Sequence, residues 1–428
     1  MGNNSQVVRK KAMTAQIVKL AWRNLWRNKI RTGIMLASMV FGLMGVVTMM
    51  GFLSGMYVSM IDNAIAWQTS DVQVQNRRYL EDPDINEVIV NPAALYSELE
   101  RLPQVSAYSA RVVADGMVAS ARANRGIRIN GVNVTDEAAV TPIAAHIEQG
   151  TWLPETGRYP VVVSQKTAER LRLSLGSKVV LTFSDVNKDV TGAAFRVRGI
   201  YRSPSSSFDD ANLYVRQQEL SQLAGVEGVH EIAVLLDDSQ GGDSFDNQGA
   251  KLVAQALRKV SSTQNQIRDW QQIQPMLATI ISQMGVSNGV ILLIFVTAMG
   301  FGIINVMLMS VFERTREFGV LMAVGMVKSK VFLLILLESC LLGVTGAGLG
   351  LLGSFAVIAL LSQTGIPLGS MSEGLGAFGV DTTLYPVLKI GEYLGVFLTV
   401  VVASMLASLY PARQILKLRP VDAMSHKH

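Results

Sequence analysis

The chain alternates between long charge-free stretches and stretches in which polar and apolar positions interleave at short range. Gly33–Ile61 and Pro275–Phe312 contain no Asp, Glu, Lys or Arg, and each exceeds the roughly 20 residues a helix needs to cross a bilayer. Val331–Leu361 carries one charge, Glu338, and Tyr393–Ala412 carries none. Four membrane helices are predicted, over 33–61, 275–312, 331–361 and 390–412. Across 62–274 the period shortens to alternating strands such as Asp71–Gln75 and Phe195–Ile200, separated by helix-like stretches such as Pro92–Leu102 and Ser164–Leu173. The expected class is an α-helical membrane protein with four transmembrane helices and a large α+β extracytoplasmic domain inserted between the first and second. That domain is long for one core, and Ser203–Ser207 reads as a mobile loop or as the edge between two subdomains.

Composition agrees with a mixed architecture: of 428 residues, 49% are hydrophobic and 17% charged, with a net charge of +5. The basic residues cluster beside apolar runs and are not interleaved with aromatics, so no nucleic-acid partner is expected. Arg9, Lys10, Lys11, Lys19, Arg23, Arg27, Lys29 and Arg31 precede the first span. Arg314, Arg316, Lys328 and Lys330 lie between the second and third, and Arg413, Lys417, Arg419 and Lys427 follow the fourth. By the positive-inside rule the segments 1–32, 313–330 and 413–428 are cytoplasmic. Residues 62–274 and the loop 362–389 are then outside. The first span starts too late and runs too long for a cleaved signal peptide, so it reads as a retained anchor. A single cysteine, Cys340, excludes an intrachain disulfide.

Little in the chain resembles catalytic chemistry. No G-x-x-x-x-G-K-[ST] occurs, and Gly176-Ser177-Lys178 lacks the upstream glycine and ends a turn before a strand. His146, His230, His426 and His428 are isolated, without the spacing of a metal site. There is no G-x-S-x-G elbow, and Asp237–Asp246 reads as a surface loop. A non-catalytic subunit that binds no metal or cofactor is expected. Flexible thioethers in the first two spans suit irregular acyl chains. Met49, Phe52, Met56 and Met284 are therefore candidates to face a hydrophobic substrate in the membrane. Gly51 with Gly55, and Gly346 with Gly350, offer small-xxx-small faces for helix contact.

Three segments carry a family resemblance. Ala21-Trp22-Arg23-Asn24-Leu25-Trp26-Arg27-Asn28-Lys29-Ile30-Arg31-Thr32 leads into the first span. Ser310-Val311-Phe312-Glu313-Arg314-Thr315-Arg316-Glu317-Phe318-Gly319-Val320-Leu321-Met322-Ala323-Val324-Gly325 follows the second. Tyr410-Pro411-Ala412-Arg413, then Leu418-Arg419-Pro420-Val421-Asp422-Ala423-Met424, ends the chain. They resemble the permeases of the MacB, LolC/LolE and FtsX group of ABC transporters. Gly51-Phe52-Leu53-Ser54-Gly55-Met56, Asp71–Gln75, Gly199-Ile200-Tyr201 and Leu213-Tyr214-Val215 look most like LolE-type members.

The resemblance implies a permease in the bacterial inner membrane, both termini cytoplasmic. It would pair with a second permease chain, identical or LolC/LolE-like, and with a cytoplasmic ATPase dimer that binds ATP and Mg. The segment after the second span would couple to that ATPase, with Glu313, Arg314, Arg316 and Glu317 ion-pairing across the interface and Phe318 and Leu321 packing there. Glu338 is expected to pair structurally, with a basic residue of this segment. The implied function is to extract or move a lipoprotein or other hydrophobic substrate from the membrane, in contact with lipids and handing it to a periplasmic acceptor or adaptor protein. MacB-like export of a peptide or small molecule through a tripartite system and FtsX-like activation of a cell-wall hydrolase are the alternatives. A MacB chain usually carries an ATPase domain ahead of its spans, whereas 32 residues precede the first span here, which favours the LolE-like branch.

Overall fold

The computed structural model describes residues 18–237, 247–369, 372–376 and 379–417. Arg9, Lys10, Lys11, the tract from 238 to Asp246, and the terminal motif Leu418–Met424 lie outside the described residues. So do Arg419, His426, Lys427 and His428.

Among the described residues, four helices are long and apolar enough to cross a membrane: Lys29–Thr69, Pro275–Glu313, Lys328–Thr364 and Ile390–Gln414. Each contains one of the expected apolar runs and extends past it, because helix propagation costs little once a long segment has nucleated. The first spanning helix starts where Asn28 accepts from the backbone N–H of Arg31 at 3.4 Å, and Thr32 ties it to the preceding turn by donating to the Leu25 carbonyl at 2.6 Å. Its buried stripe, Met35, Met39, Leu43 and Val47, packs with Ile335, Leu342, Ala347 and Val400. Close approach depends on missing side chains. A Cβ on Gly346 would stand 2.8 Å from Met39 Cε, and one on Gly350 2.9 Å from Leu43 Cδ2. On the first helix, Gly51 abuts Ile358 and Gly55 abuts the Tyr385 backbone. Gly346, Gly350 and Gly51 thus serve helix contact, whereas Gly55 admits the loop backbone ahead of the fourth helix.

The inserted unit is an α+β domain. Its strands are β1 (Val72–Asn76), β2 (Val105–Ala119), β3 (Asn124–Val132), β4 (Ile147–Gly150), β5 (Pro160–Ser164), β6 (Lys178–Ser184), β7 (Val190–Tyr201), β8 (Asn212–Arg216), β9 (Glu231–Leu236) and β10 (Asn265–Asp269). They join one ten-stranded sheet in the order β10-β1-β9-β2-β3-β8-β5-β7-β4, with β6 bridging β2 and β7. The first and last strands of the domain pair with each other, Val72 opposite Asp269. Strand pairing is continuous through the domain, and its apolar residues gather into two clusters. The larger contains Val74, Val118, Leu181, Phe195 and Leu257; the smaller contains Trp67, Ile143, Tyr201, Phe208 and Tyr214.

Ser203–Ser207, read from sequence as a mobile loop or as the edge between two subdomains, is a buried, hydrogen-bonded corner. Ser203 and Ser205 are 8% and 3% exposed. Ser205 caps the helix Ser206–Ala211 by accepting from the Phe208 N–H, which is what serine does at a helix start.

Candidate functional site

The most densely charged place in the helical unit is the short helix Thr315–Ala323, between the second and third spans. The second span breaks at Arg314, and the short helix begins one residue later. It ends at Gly325, whose φ of +102° few other residues tolerate. The Gly325 and Met326 N–H groups turn back to the carbonyls of Met322 and Leu321, a bonded pair that closes the helix end.

Two pairs of residues, each four apart, meet antiparallel across this point. Arg27 donates to both oxygens of Glu317, at 2.9 and 2.5 Å, and Arg31 donates to Glu313 at 2.6 Å. Glu313 and Glu317, one turn apart, would repel without these partners. Arg314 continues the chain of charges inward. Its Nε lies 3.2 Å from Glu317 and its Nη1 3.3 Å from Glu338 of the third span, while its guanidinium lies over the Phe318 ring at 5.1 Å. The hydrogen bonds from Arg27, then those from Arg314, hold Glu317 below the ordinary carboxylate range, and Glu317 in turn raises Arg27. The N-terminal segment, the short helix and the third span are thereby joined by one network of bidentate and buried charge contacts.

This geometry sorts the residues expected to reach a partner. Arg316 is exposed and Leu321 half-buried. Glu313 and Glu317 are close to half exposed, although each already holds an arginine of its own chain. Arg314 and Phe318 are corrections: at 8% and 1% exposure they face inward. The Glu338 carboxylate and the apolar bundle offer them better partners than any outer surface. What the short helix shows outward is Arg316 beside Val320, 50% exposed, and Val324, 84% exposed. Next to it opens a groove of about 610 Å³ lined by Asn24, Arg27, Lys29, Arg31, Ser310 and Glu313, among others. Arg27 and Arg31 were read from sequence only as topological charges. Their matched spacing of four with Glu313 and Glu317 was the available signal.

Of the candidates to face a membrane substrate, Met49 is 48% exposed, and Phe52, Met56 and Met284 are half-buried. Among the described residues no group of three or more His, Cys, Asp or Glu is arranged to hold a metal ion.

The inserted domain holds a second charge cluster that sequence reading missed. Arg111, almost wholly buried, binds Glu137 at 2.9 Å and Glu231 at 2.7 Å. Glu231 also accepts from Gln75 and Arg128, at 2.8 and 3.0 Å. Burial alone would raise the Glu231 carboxylate, but Arg128 and Arg111 outweigh it and hold it low. Elsewhere in the domain, burial pushes Asp209 up to about 6 against the opposing bonds from Ser203.

Comparison with known proteins follows the same division of the chain. Residues 32–248, just over half of it, match the family described as MacB-like periplasmic core domain, and residues 289–420 match the FtsX-like permease C-terminal family. The macrolide export ATP-binding/permease protein MacB of Nitrosomonas europaea is 25% identical over 96% of this chain and 59% of its own length. The pyoverdine export ATP-binding/permease protein PvdT of Pseudomonas entomophila is 24% identical, again over 96% and 59%. The uncharacterized ABC transporter permease YvrN of Bacillus subtilis is 26% identical over 56% of each chain. The chain thus spans about three-fifths of the length of the export relatives it matches. Among solved structures, the periplasmic region of MacB from Actinobacillus actinomycetemcomitans aligns with 51% of this chain and 97% of that one, at 13% identity and a TM-score of 0.36. The two matched families adjoin along the chain as the inserted domain and the later spanning helices do, and the chain belongs to the family of permeases with a MacB-like periplasmic core domain and an FtsX-like C-terminal domain.

Proposed function

We propose that the chain is the membrane permease of an ABC transporter, converting ATP hydrolysis on a nucleotide-binding body outside these 428 residues into motion of its inserted domain. The supporting observation is the short helix Thr315–Ala323. Arg27 holds it through Glu317, Arg31 and Glu338 hold Glu313 and Arg314 just before it, and it presents Arg316, Val320 and Val324 outward. A helix braced on its inner side and apolar on its outer side suits a surface that receives a push. The sequence has no phosphate-binding loop of its own, so ATP and Mg would be held by that partner. Two permease copies and two ATPase copies would form the unit, in a bacterial inner membrane, with the termini inside and the inserted domain in the periplasm. Glu313 and Glu317 would meet the partner from the edge of the contact, and Leu321 would pack at its margin.

The substrate is proposed to be a hydrophobic or amphiphilic molecule taken from the membrane, with Met49 and Phe52 among the residues that could meet it. The names of the relatives, macrolide export and pyoverdine export, favour small-molecule export over lipoprotein extraction. The test is to purify the tagged full chain from native membranes and assay bound ATPase activity, comparing wild type with Arg316→Glu plus Val320→Asp. Loss of the bound ATPase in the variant is the expected result. A wild-type protein that retains no ATPase under any condition would remove the proposal.

A further inference from the structure

A turn over 26–28 separates the N-terminal helical segment from the first spanning helix, and side chains from both sides of it converge on the groove beside the charge network. Asn24 and Arg27 come from the segment, Lys29, Ile30 and Arg31 from the first turn of the spanning helix, and Ser310, Glu313 and Arg314 from the end of the second span and the break after it. Three of the cations are already engaged: Arg27 by Glu317, Arg31 by Glu313, and Arg314 by Glu317 and Glu338. Lys29 is exposed and has no carboxylate partner among the described residues. Arg27, Lys29, Arg31 and Arg314 set against Glu313, Glu317 and Glu338 leave one positive charge, and Lys29 carries it.

A donor is left over as well. Asn24 Nδ2 is shielded from solvent and meets no acceptor among the described residues, an unfavourable state for an amide. No acidic residue occupies the first turn of the spanning helix, whose positive dipole end also favours an anion. Glu313 is the carboxylate in the lining, and Arg31 at 2.6 Å neutralises it. The groove therefore suits a ligand with negative charge and acceptor oxygens. Its rim is apolar: Ile30 lines it and Ile34 follows one turn along the helix, both exposed. On the neighbouring segment Trp22 and Trp26 are exposed and meet edge to face at 6.0 Å. Tryptophan favours the boundary between lipid and water.

We infer that this groove holds the phosphate of an anionic phospholipid, with Lys29 and Asn24 supplying donors to its oxygens and an acyl chain lying along Ile30 and Ile34. A free phosphate would satisfy the polar residues and leave the two isoleucines uncovered. A lipid satisfies both, and the start of a spanning helix is where headgroup and acyl chain meet. The inference rests on the membrane placement proposed above and needs neither the ATPase nor the transported substrate.

The test uses the full chain, purified in a neutral detergent, stripped of lipid and titrated with phosphatidylglycerol or phosphatidylcholine while native mass spectrometry counts the bound lipid. Retention of phosphatidylglycerol, and little of phosphatidylcholine, is expected. Lys29→Gln should weaken binding roughly fivefold, the loss of one cation's attraction to an anionic headgroup. Asn24→Leu should weaken it too, and Lys29→Arg should preserve it. Lys19→Gln removes a cation of the same segment that does not line the groove and should leave binding unchanged. Equal retention by wild type and Lys29→Gln would overturn the inference, as would an equal loss in Lys19→Gln, which would mean diffuse attraction. Displacement of the lipid by excess glycerol phosphate would also overturn it, making the groove a site for a soluble phosphate. A chain that retains the ATPase but no lipid sinks this inference and leaves the proposed permease standing.

Discussion

Arg314 and Glu338 meet in the interior of the helical unit, the guanidinium Nη1 3.4 and 3.3 Å from the two carboxylate oxygens, with both side chains at most 10% exposed. A charge with so little access to water depends on its partner, and the pair fastens the start of the short connecting helix to the third span.

Removing one member should therefore cost far more than removing both. Glu338→Gln leaves the buried Arg314 with only the half-exposed Glu317 as a carboxylate partner and should lower stability by about 3 kcal/mol. Arg314→Gln together with Glu338→Gln should recover most of that. Thermal unfolding of the four proteins in detergent gives the coupling energy directly, and a double variant as unstable as the sum of the singles would show that the pair does not act as one.

The outer rung behaves differently. Arg27 and Glu317 have side chains 57% and 44% exposed, so Arg27→Glu should change stability by less than about 1 kcal/mol. Its expected effect is on the ATPase activity of the assembled complex, which should fall and be restored by adding Glu317→Arg. Equal activity in all three proteins would confine the pair to a surface ornament.

Within the inserted domain, Glu231→Gln should be severe. It leaves Arg111, buried and bonded to Glu231 at 2.7 Å, with a single carboxylate in Glu137. A loss of about 3 kcal/mol is expected, read as a lower melting temperature and earlier proteolysis of the domain. Glu148→Gln, on an exposed pair with Arg202 at 3.9 Å, is the control that should change little.

Asp209 gives a pH dependence of definite sign. Its carboxyl is pushed from 3.8 up to about 6 by burial, so the stability it contributes is complete below pH 3.8 and is lost as pH rises through 6. Asp209→Asn should match wild type near pH 4 and exceed it by about 2 kcal/mol near pH 8, after allowing for one weakened bond from Ser203. His230 pulls the other way. Its Nδ1 accepts from the Val113 N–H and its Nε2 reaches the Ile85 carbonyl, and burial lowers its pKa. Its contribution is therefore present above 6.5 and lost as pH falls. The variant should then gain stability from pH 5 to about 6.5 and level off above it, where wild type is flatter over the same rise; a constant offset between the two would contradict the assignment.

The sequence was most legible where one physical constraint dominates. The charge-free runs around Leu43 and Ile303 could only be long apolar helices, and Ser164 announced the helix it caps. The facing of side chains was harder to read. Arg314 and Arg316 stand two apart in one charged motif, and nothing local says that the first turns inward to Glu338 while the second stays at the surface. Phe318 was placed at an interface by the family resemblance, yet the bundle buries it. The Arg111–Glu231 contact spans 120 positions and forms only once β9 lies beside β2, so no spacing rule could reveal it. Ser203–Ser207 looked mobile from composition, but serines cap as readily as they loosen.

The pairing of Val72 with Asp269 has a mechanical corollary. The strand that the first spanning helix leads into and the strand that leads back to the second are antiparallel neighbours. A pull shared by both strands is borne by the whole sheet. A pull that separates them is borne by one bonded pair at a time, beginning at the bond from the Trp270 N–H to the Asp71 carbonyl. That edge is strong against lifting and weak against splaying.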